Sequence, residues 1–167
     1  LQASLTGHLM LSSFHGIDTA AAITRLTDLS GEQVLITSAL RLVVAQRLVR
    51  RICPDCLTGY EPSEALRKVI EQELASLPQD VPRPAIKLFR GKGCEQCHYF
   101  GYRGRIGIFE VLTLSDPLRE LITAQSPADK LRAQARAEGL LTLQQDGVLK
   151  ALEGQTTIEE VFRVVGQ

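Results

Sequence analysis

Aromatic side chains make up only 5% of this 167-residue chain, and its 19 lysines and arginines are balanced by 19 acidic residues. Dedicated nucleic-acid binders carry a basic footprint and stacking aromatics, so this balance argues against that class. No apolar run approaches the roughly 18 residues of a bilayer-spanning helix. Neither a secretory signal peptide nor a low-complexity tract is visible. There is no G-x-x-x-x-G-K-[ST], and Gly91-Lys92-Gly93 does not replace that phosphate-cradling loop. The chain has no initiating methionine. It opens at Leu1 in a stretch with the character of a protein interior, so a fragment of a longer protein is expected.

Hydrophobic residues amount to 44%, enough for a real core, and the length suits one domain with at most a small appendage. The only cysteines form two C-x-x-C pairs, Cys53-Pro54-Asp55-Cys56 and Cys94-Glu95-Gln96-Cys97. Two residues between cysteines let both thiolates turn toward one tetrahedral ion, and two such knuckles make a closed structural Zn(Cys)₄ site. A redox pair would leave the second motif unexplained. Disulfides would require an oxidising compartment, and unrelated thiols would not need matched spacing. Zinc is the favoured reading. A zinc centre with four thiolates carries two net negative charges, which Arg50, Arg51, Arg90 and Lys92 beside the knuckles can offset. Those cations read equally well as a solvated surface.

In chain order, Leu9-Met10-Leu11-Ser12-Ser13-Phe14 reads as a buried strand, of the parallel type, between His8 and His15. Asp18 caps a helix running to about Asp28, with Ala22, Ile23 and Leu26 on one face. Ser30 and Gln33 form a capping-box pattern for a helix to about Leu40. Leu42 to Ile52 reads as a strand, with helix as a rival for its first half. Ser63 caps a helix carrying Leu66, Val69, Ile70, Leu74 and Leu77, and Ile86 to Phe89 reads as a short strand. A strand begins at Arg105. If the knuckles share one ion, the segment entering Cys53 and the segment leaving Cys97 start close together and pair antiparallel. Asp116-Pro117, Ser126-Pro127, Thr142 and Thr157 with Glu160 open four short helices that read as one small bundle.

Several stretches together carry a resemblance: L-Q-A-S-L-T-G-H-L-M-L-S-S-F with the following His15, A-Q-R-L-V-R-R-I-C-P-D-C, G-C-E-Q-C and G-Y-R-G-R-I-G-I-F-E-V-L. In this order they closely resemble the secretion ATPase superfamily, nearest to the type II secretion and type IV pilus assembly ATPases. The resemblance covers nearly the whole chain. Pilus retraction ATPases resemble it less, since they typically lack the four-cysteine insertion.

The resemblance implies an α/β fold: the C-terminal part of a RecA-like P-loop NTPase domain, with a four-cysteine zinc lobe and a small helical bundle. The expected division is 1–52 for the NTPase core, 53–104 for the zinc lobe, and 105–167 for a return strand and C-terminal helical subdomain. In the family the T-G-H…H stretch lies near the nucleotide and its histidines are linked to hydrolysis, so Thr6, Gly7, His8 and His15 are the matching positions. Gly16 and Ile17 follow His15 where the family usually has threonine or alanine and then a polar residue. Arg105 matches an arginine near the nucleotide base. Cys53, Cys56, Cys94 and Cys97 are the metal ligands.

A full-length protein of this kind would bind ATP and Mg²⁺. It would work as a homo-hexamer at the inner face of the cell membrane, through an inner-membrane platform protein, without a membrane span of its own. The family's phosphate loop and acidic metal-holding strand lie upstream of Leu1, so this chain alone is expected not to hydrolyse ATP. The alternative is a free-standing zinc-binding module, for example for nucleic acid.

Overall fold

The computed structural model of the chain describes residues 2–166. Helix and strand are mixed, consistent with an α/β chain. Two units separate: Leu1–Ala45 with Glu110–Leu140, and Gln46–Phe109 with Leu141–Gln167.

The first unit contains α1 (Gln2–Leu5), α2 (Thr19–Ser30), α3 (Gln33–Ala39), α5 (Asp116–Thr123) and α6 (Ala128–Ala137). Asp18 starts α2 by accepting from the Ala21 N–H at 2.7 Å, which satisfies one of the amides a helix leaves unpaired at its start. Gly31, at φ 66°, ends the helix in the left-handed conformation that glycine takes at least cost. Ile23 and Ala20 from α2, Ile36 from α3, Leu118 and Ile122 from α5, and Leu131 and Ala135 from α6 close around Leu112 and Leu114.

The second unit holds β2 (Leu57–Tyr60), α4 (Glu64–Ala75), β3 (Leu88–Gly91), α7 (Leu143–Leu152) and α8 (Ile158–Val165). Ser63 caps α4 through the Leu66 N–H. Its apolar stripe brings Ile70 and Leu74 against Leu88, Val148, Leu152, Ile158 and Val161. β2 and β3 pair antiparallel, with Leu57 opposite Gly91 and Tyr60 opposite Leu88.

Two long strands run through both units, β1 (Leu42–Ile52) and β4 (Tyr102–Thr113), and they pair with each other. The Cys53 N–H donates to the Gly101 carbonyl at one end and the Leu114 N–H to the Arg41 carbonyl at the other, so the pair is antiparallel. This is the pairing expected from the cysteine spacing. Residues 42–49 alternate between exposed and shielded positions, the period of a strand with one covered face. That period decides against the helical alternative.

Several expectations are corrected. Residues 9–14 form no strand, and Leu9 and Leu11 are 88% and 87% exposed. No described strand lies alongside to complete a ladder, and a lone buried strand would leave its N–H and C=O groups unpaired. Ser30 ends α2 instead of opening α3, whose N-cap position is Glu32 with no side-chain bond. Ser115, one residue earlier than expected, caps α5 by accepting from the Leu118 N–H. Pro127, not Ser126, stands at the N-cap of α6. At α8 only half of the expected box forms: Thr157 caps, while the Glu160 side chain is held by arginines. The short strand expected at Ile86–Phe89 lies two residues later, as β3. The last four helices, grouped together by their sequence signals, divide between the units: α5 and α6 lie in the first, α7 and α8 in the second. Among the described residues no helix is long and apolar enough to cross a membrane.

Candidate functional site

Each cysteine pair sits on a tight turn that the local sequence dictates. In the first, Cys53 precedes a 3₁₀ turn, Pro54–Cys56, where the fixed φ of Pro54 suits the first turn position. The second 3₁₀ turn is Glu95–Cys97, followed by His98 at φ 49° and Tyr99 at φ 62°. Glycines let the chain close on itself around the second turn. A Cβ on Gly91 would stand 2.1 Å from the Gly101 carbonyl oxygen, and one on Gly93 would stand 2.7 Å from that of Tyr99. The Lys92 N–H donates to the Cys56 carbonyl at 3.0 Å and ties the turns together.

All four sulfurs lie within 4.8 Å of one another. Cys53 and Cys94 are 3.8 Å apart, Cys56 and Cys97 3.9 Å, and Cys94 and Cys97 3.7 Å. A disulfide holds its sulfurs about 2.05 Å apart, so these separations belong to thiols. Four sulfurs around one ion at a bond length of about 2.3 Å define a tetrahedron with edges of about 3.8 Å. The donor set and its dimensions therefore fit a tetrahedral metal ion.

The backbone N–H groups around the sulfurs fit as well. Sulfur accepts from the Gly93 N–H at Cys56 (3.3 Å), and from the Cys94 and Gly101 N–H groups at Cys97 (3.2 and 3.3 Å). Such bonds orient and stabilise thiolate ligands. Burial pushes the Cys53 thiol up to about 12, and it also raises that of Cys56. Cys97 is buried too, but the N–H groups of Cys94 and Gly101 outweigh that burial and bring it down to about 7. Of the cations flanking the knuckles, Arg50 binds Glu160 at 2.6 Å and stacks over Tyr102, and Arg90 lies over the Tyr60 ring. Both have partners other than sulfur.

The histidine stretch lies in the first unit. Thr6 Oγ1 donates to the Ala3 carbonyl at 2.8 Å and stands 3.0 Å from His8 Nδ1, with Gly7 at φ 90° making the turn between them. Thr6, Gly7 and His8 thus form one constellation just after α1. His15 is exposed, and its carbonyl accepts from Arg25 at 3.4 Å. No hydrogen bond joins it to His8 among the described residues. Arg105 is exposed on the part of β4 that belongs to the second unit.

Two buried carboxylates escaped the sequence reading. Glu110 on β4 is 6% exposed and accepts from Thr19. Glu160 on α8 is 1% exposed and is held by Arg50 and Arg163. For Glu110 a signal existed: it occupies an inward position between Ile108 and Leu112, where a strand ordinarily places an apolar side chain. For Glu160 the capping pattern pointed elsewhere.

Comparison with known proteins places these features in context. The family model described as type II/IV secretion system protein matches residues 1–163. The chain is 44% identical over 164 residues to the type II secretion system protein E of Pseudomonas aeruginosa and 40% identical to the type II secretion system ATPase E of Vibrio cholerae. Each alignment covers 98% of this chain and 31% of the relative. It is 41% identical to the type IV pilus assembly ATPase PilB of Thermus thermophilus, over 96% of this chain and 17% of that protein. The chain therefore spans a third or less of the length of these relatives.

Proposed function

Because the chain belongs to the type II/IV secretion system protein family, we propose that it is the carboxyl-terminal part of a hexameric ATPase that drives pseudopilus or pilus assembly through an inner-membrane platform protein. The observation that carries this reading is the match along residues 1–163, with relatives named as secretion or pilus assembly ATPases.

In this reading residues 1–52 contribute to a RecA-like nucleotide-binding core, and residues 53–104 form a zinc lobe. The four thiolates of Cys53, Cys56, Cys94 and Cys97 hold a closed structural zinc with no open position for substrate. The lobe stiffens the subunit where β1 and β4 end, and it offers a surface to partners. ATP with Mg²⁺ supplies the phosphoryl group in the full-length protein. Phosphoryl transfer asks a protein mainly for positioning and charge stabilisation. His8 and His15 act on the transferring phosphoryl group, with the His8 ring oriented by Thr6 and Gly7. Arg105 contacts the nucleotide near its base. The protein works at the cytoplasmic face of the membrane through its partners.

The test is an upstream-extended chain assayed for ATP hydrolysis. Hydrolysis that falls sharply in His8→Ala and His15→Ala, with nucleotide affinity little changed, is the expected result. An extended chain that fails to turn over ATP, or whose turnover ignores both histidines, refutes the proposal.

A further inference from the structure

The start of α2 is held from several sides, all within the first unit. From β4, the buried Glu110 carboxylate accepts through one oxygen from the Thr19 N–H at 3.0 Å and from the Thr19 hydroxyl at 2.5 Å. From α6, Arg132 donates to Asp18 at 2.6 Å and to Asp129 at 2.5 Å. Asp18 itself already caps the helix through Ala21. Just before it, a Cβ on Gly16 would lie 3.1 Å from that of Ala22, so the backbone there rests against the helix. Arg25 reaches back to the His15 carbonyl.

A helix start needs its amides satisfied, and Asp18 or water does this without help from a distant strand. A buried carboxylate is costly unless it is well bonded, so drawing Glu110 off β4 to bond Thr19 twice needs a further reason. What the bonds achieve is placement. Three residues separate Thr19 from His15, and that span is pressed onto α2 at Gly16. Among the described residues no hydrogen bond holds the His15 imidazole. The position of the ring thus follows the backbone, which Glu110 holds through Thr19 and Arg132 through Asp18.

We propose that Glu110 and Arg132 are positioning residues that fix where His15 stands. The proposal rests on the reading of His15 as a residue that acts in ATP hydrolysis. Misplacing a catalytic group by about 1 Å costs up to a hundredfold in rate, so a remote tether can matter as much as a contact.

The experiment uses the full-length protein with ATP. In Glu110→Ala, kcat should fall between about tenfold and a hundredfold, while KM for ATP stays within about twofold. Glu110→Gln should restore most of the turnover, because its amide oxygen can accept the same two bonds. Arg132→Ala should fall in the same direction. Thr19→Val, which removes the hydroxyl but leaves Glu110, should give a smaller loss and serves if Glu110→Ala does not fold. Amides of residues 16–22 should exchange faster in Glu110→Ala than in the parent. Gln145→Ala, which breaks a buried bond to Ser76 in the second unit, should leave turnover unchanged. Normal turnover in both Glu110→Ala and Thr19→Val would overturn the proposal, as would an effect on KM alone or an equal loss in Gln145→Ala. Normal turnover in His15→Ala would instead remove the reading on which it rests.

Discussion

Arg50, near the end of β1, and Glu160, in the last helix, meet at 2.6 Å across 110 residues of chain. Glu160 is buried and also accepts from the Arg50 backbone N–H and twice from Arg163. Thr156 donates to the Arg50 carbonyl, and the Arg50 guanidinium stacks 4.1 Å over Tyr102. One carboxylate thus fastens α8 to β1.

Glu160→Ala should destabilise the second unit by about 2–3 kcal/mol, the scale of hydrogen bonds to a charged group. Denaturant unfolding near neutral pH reads this directly. Arg163 and then Arg50 hold the Glu160 carboxyl well below the usual carboxylate range, against its burial. A depressed folded value means the stabilisation is complete above the ordinary value of 4.5 and is lost as pH falls from there toward the folded value. Wild-type stability should therefore decline below about pH 4.5, and Glu160→Gln should flatten that decline. An acid profile identical in the variant would show that other groups govern it.

The four cysteines should bind about one zinc per chain, with Zn–S distances near 2.3 Å by X-ray absorption. Cys53→Ser should loosen residues 53–97 and spare α2 and α3. Hydrogen exchange with and without a chelator checks the same separation, since the first unit has its own core in Ile23, Ile36, Leu118 and Leu131. Finding Cys53–Cys56 or Cys94–Cys97 disulfides in reduced, metal-replete protein would contradict the zinc assignment. Loss of protection across residues 19–39 as large as in the lobe would contradict the separation.

Gly91→Ala should weaken metal binding without touching a ligand. The added methyl would lie 2.1 Å from a backbone oxygen, which cannot step aside as a flexible side chain can. A cost of about 3 kcal/mol is expected for such overpacking, felt as a roughly hundredfold loss in a chelator competition. Metal affinity equal to wild type would mean that the backbone on either side of the second turn can part without moving its cysteines.

The chain of residues 1–167 alone should show no ATP turnover above background, because its sequence contains no G-x-x-x-x-G-K-[ST] loop to cradle the phosphates. A purified preparation with turnover that resists removal of contaminating enzymes would refute this.

Much of the fold was legible where a local rule and the tertiary context agree. Asp18, Ser63 and Thr142 cap helices as their patterns foretell, and the period of Leu42–Ile52 marks a strand with one covered face. The cysteine spacing foretold both the cluster and the β1–β4 pairing, because a shared ion constrains where the flanking segments begin. Other elements were not legible. Leu57-Thr58-Gly59-Tyr60 has too short a pattern to declare itself, and it becomes β2 only because Leu88–Gly91 is there to pair with it. The apolar run at Leu9–Phe14 looks like a buried strand, but burial belongs to the surroundings and not to the run. Four successive capped helices gave no hint that Leu118 and Leu131 join one core and Val148 and Val161 another. Thr6 and His8 were legible as a constellation, since only Gly7 separates them. The bond from Glu110 to Thr19 spans 91 residues, and no local pattern could encode it.

The two halves of the cysteine cluster stand 41 residues apart in the chain. At a synthesis rate of about 5–20 residues per second, the second pair follows the first by roughly 2–8 s. Throughout that interval Cys53 and Cys56 are a two-thiol site on a nascent chain, exposed to oxidants and to stray metal ions. The knuckle can close only once Cys94 and Cys97 have left the ribosome, so the assembly of this lobe is timed by translation as well as by folding.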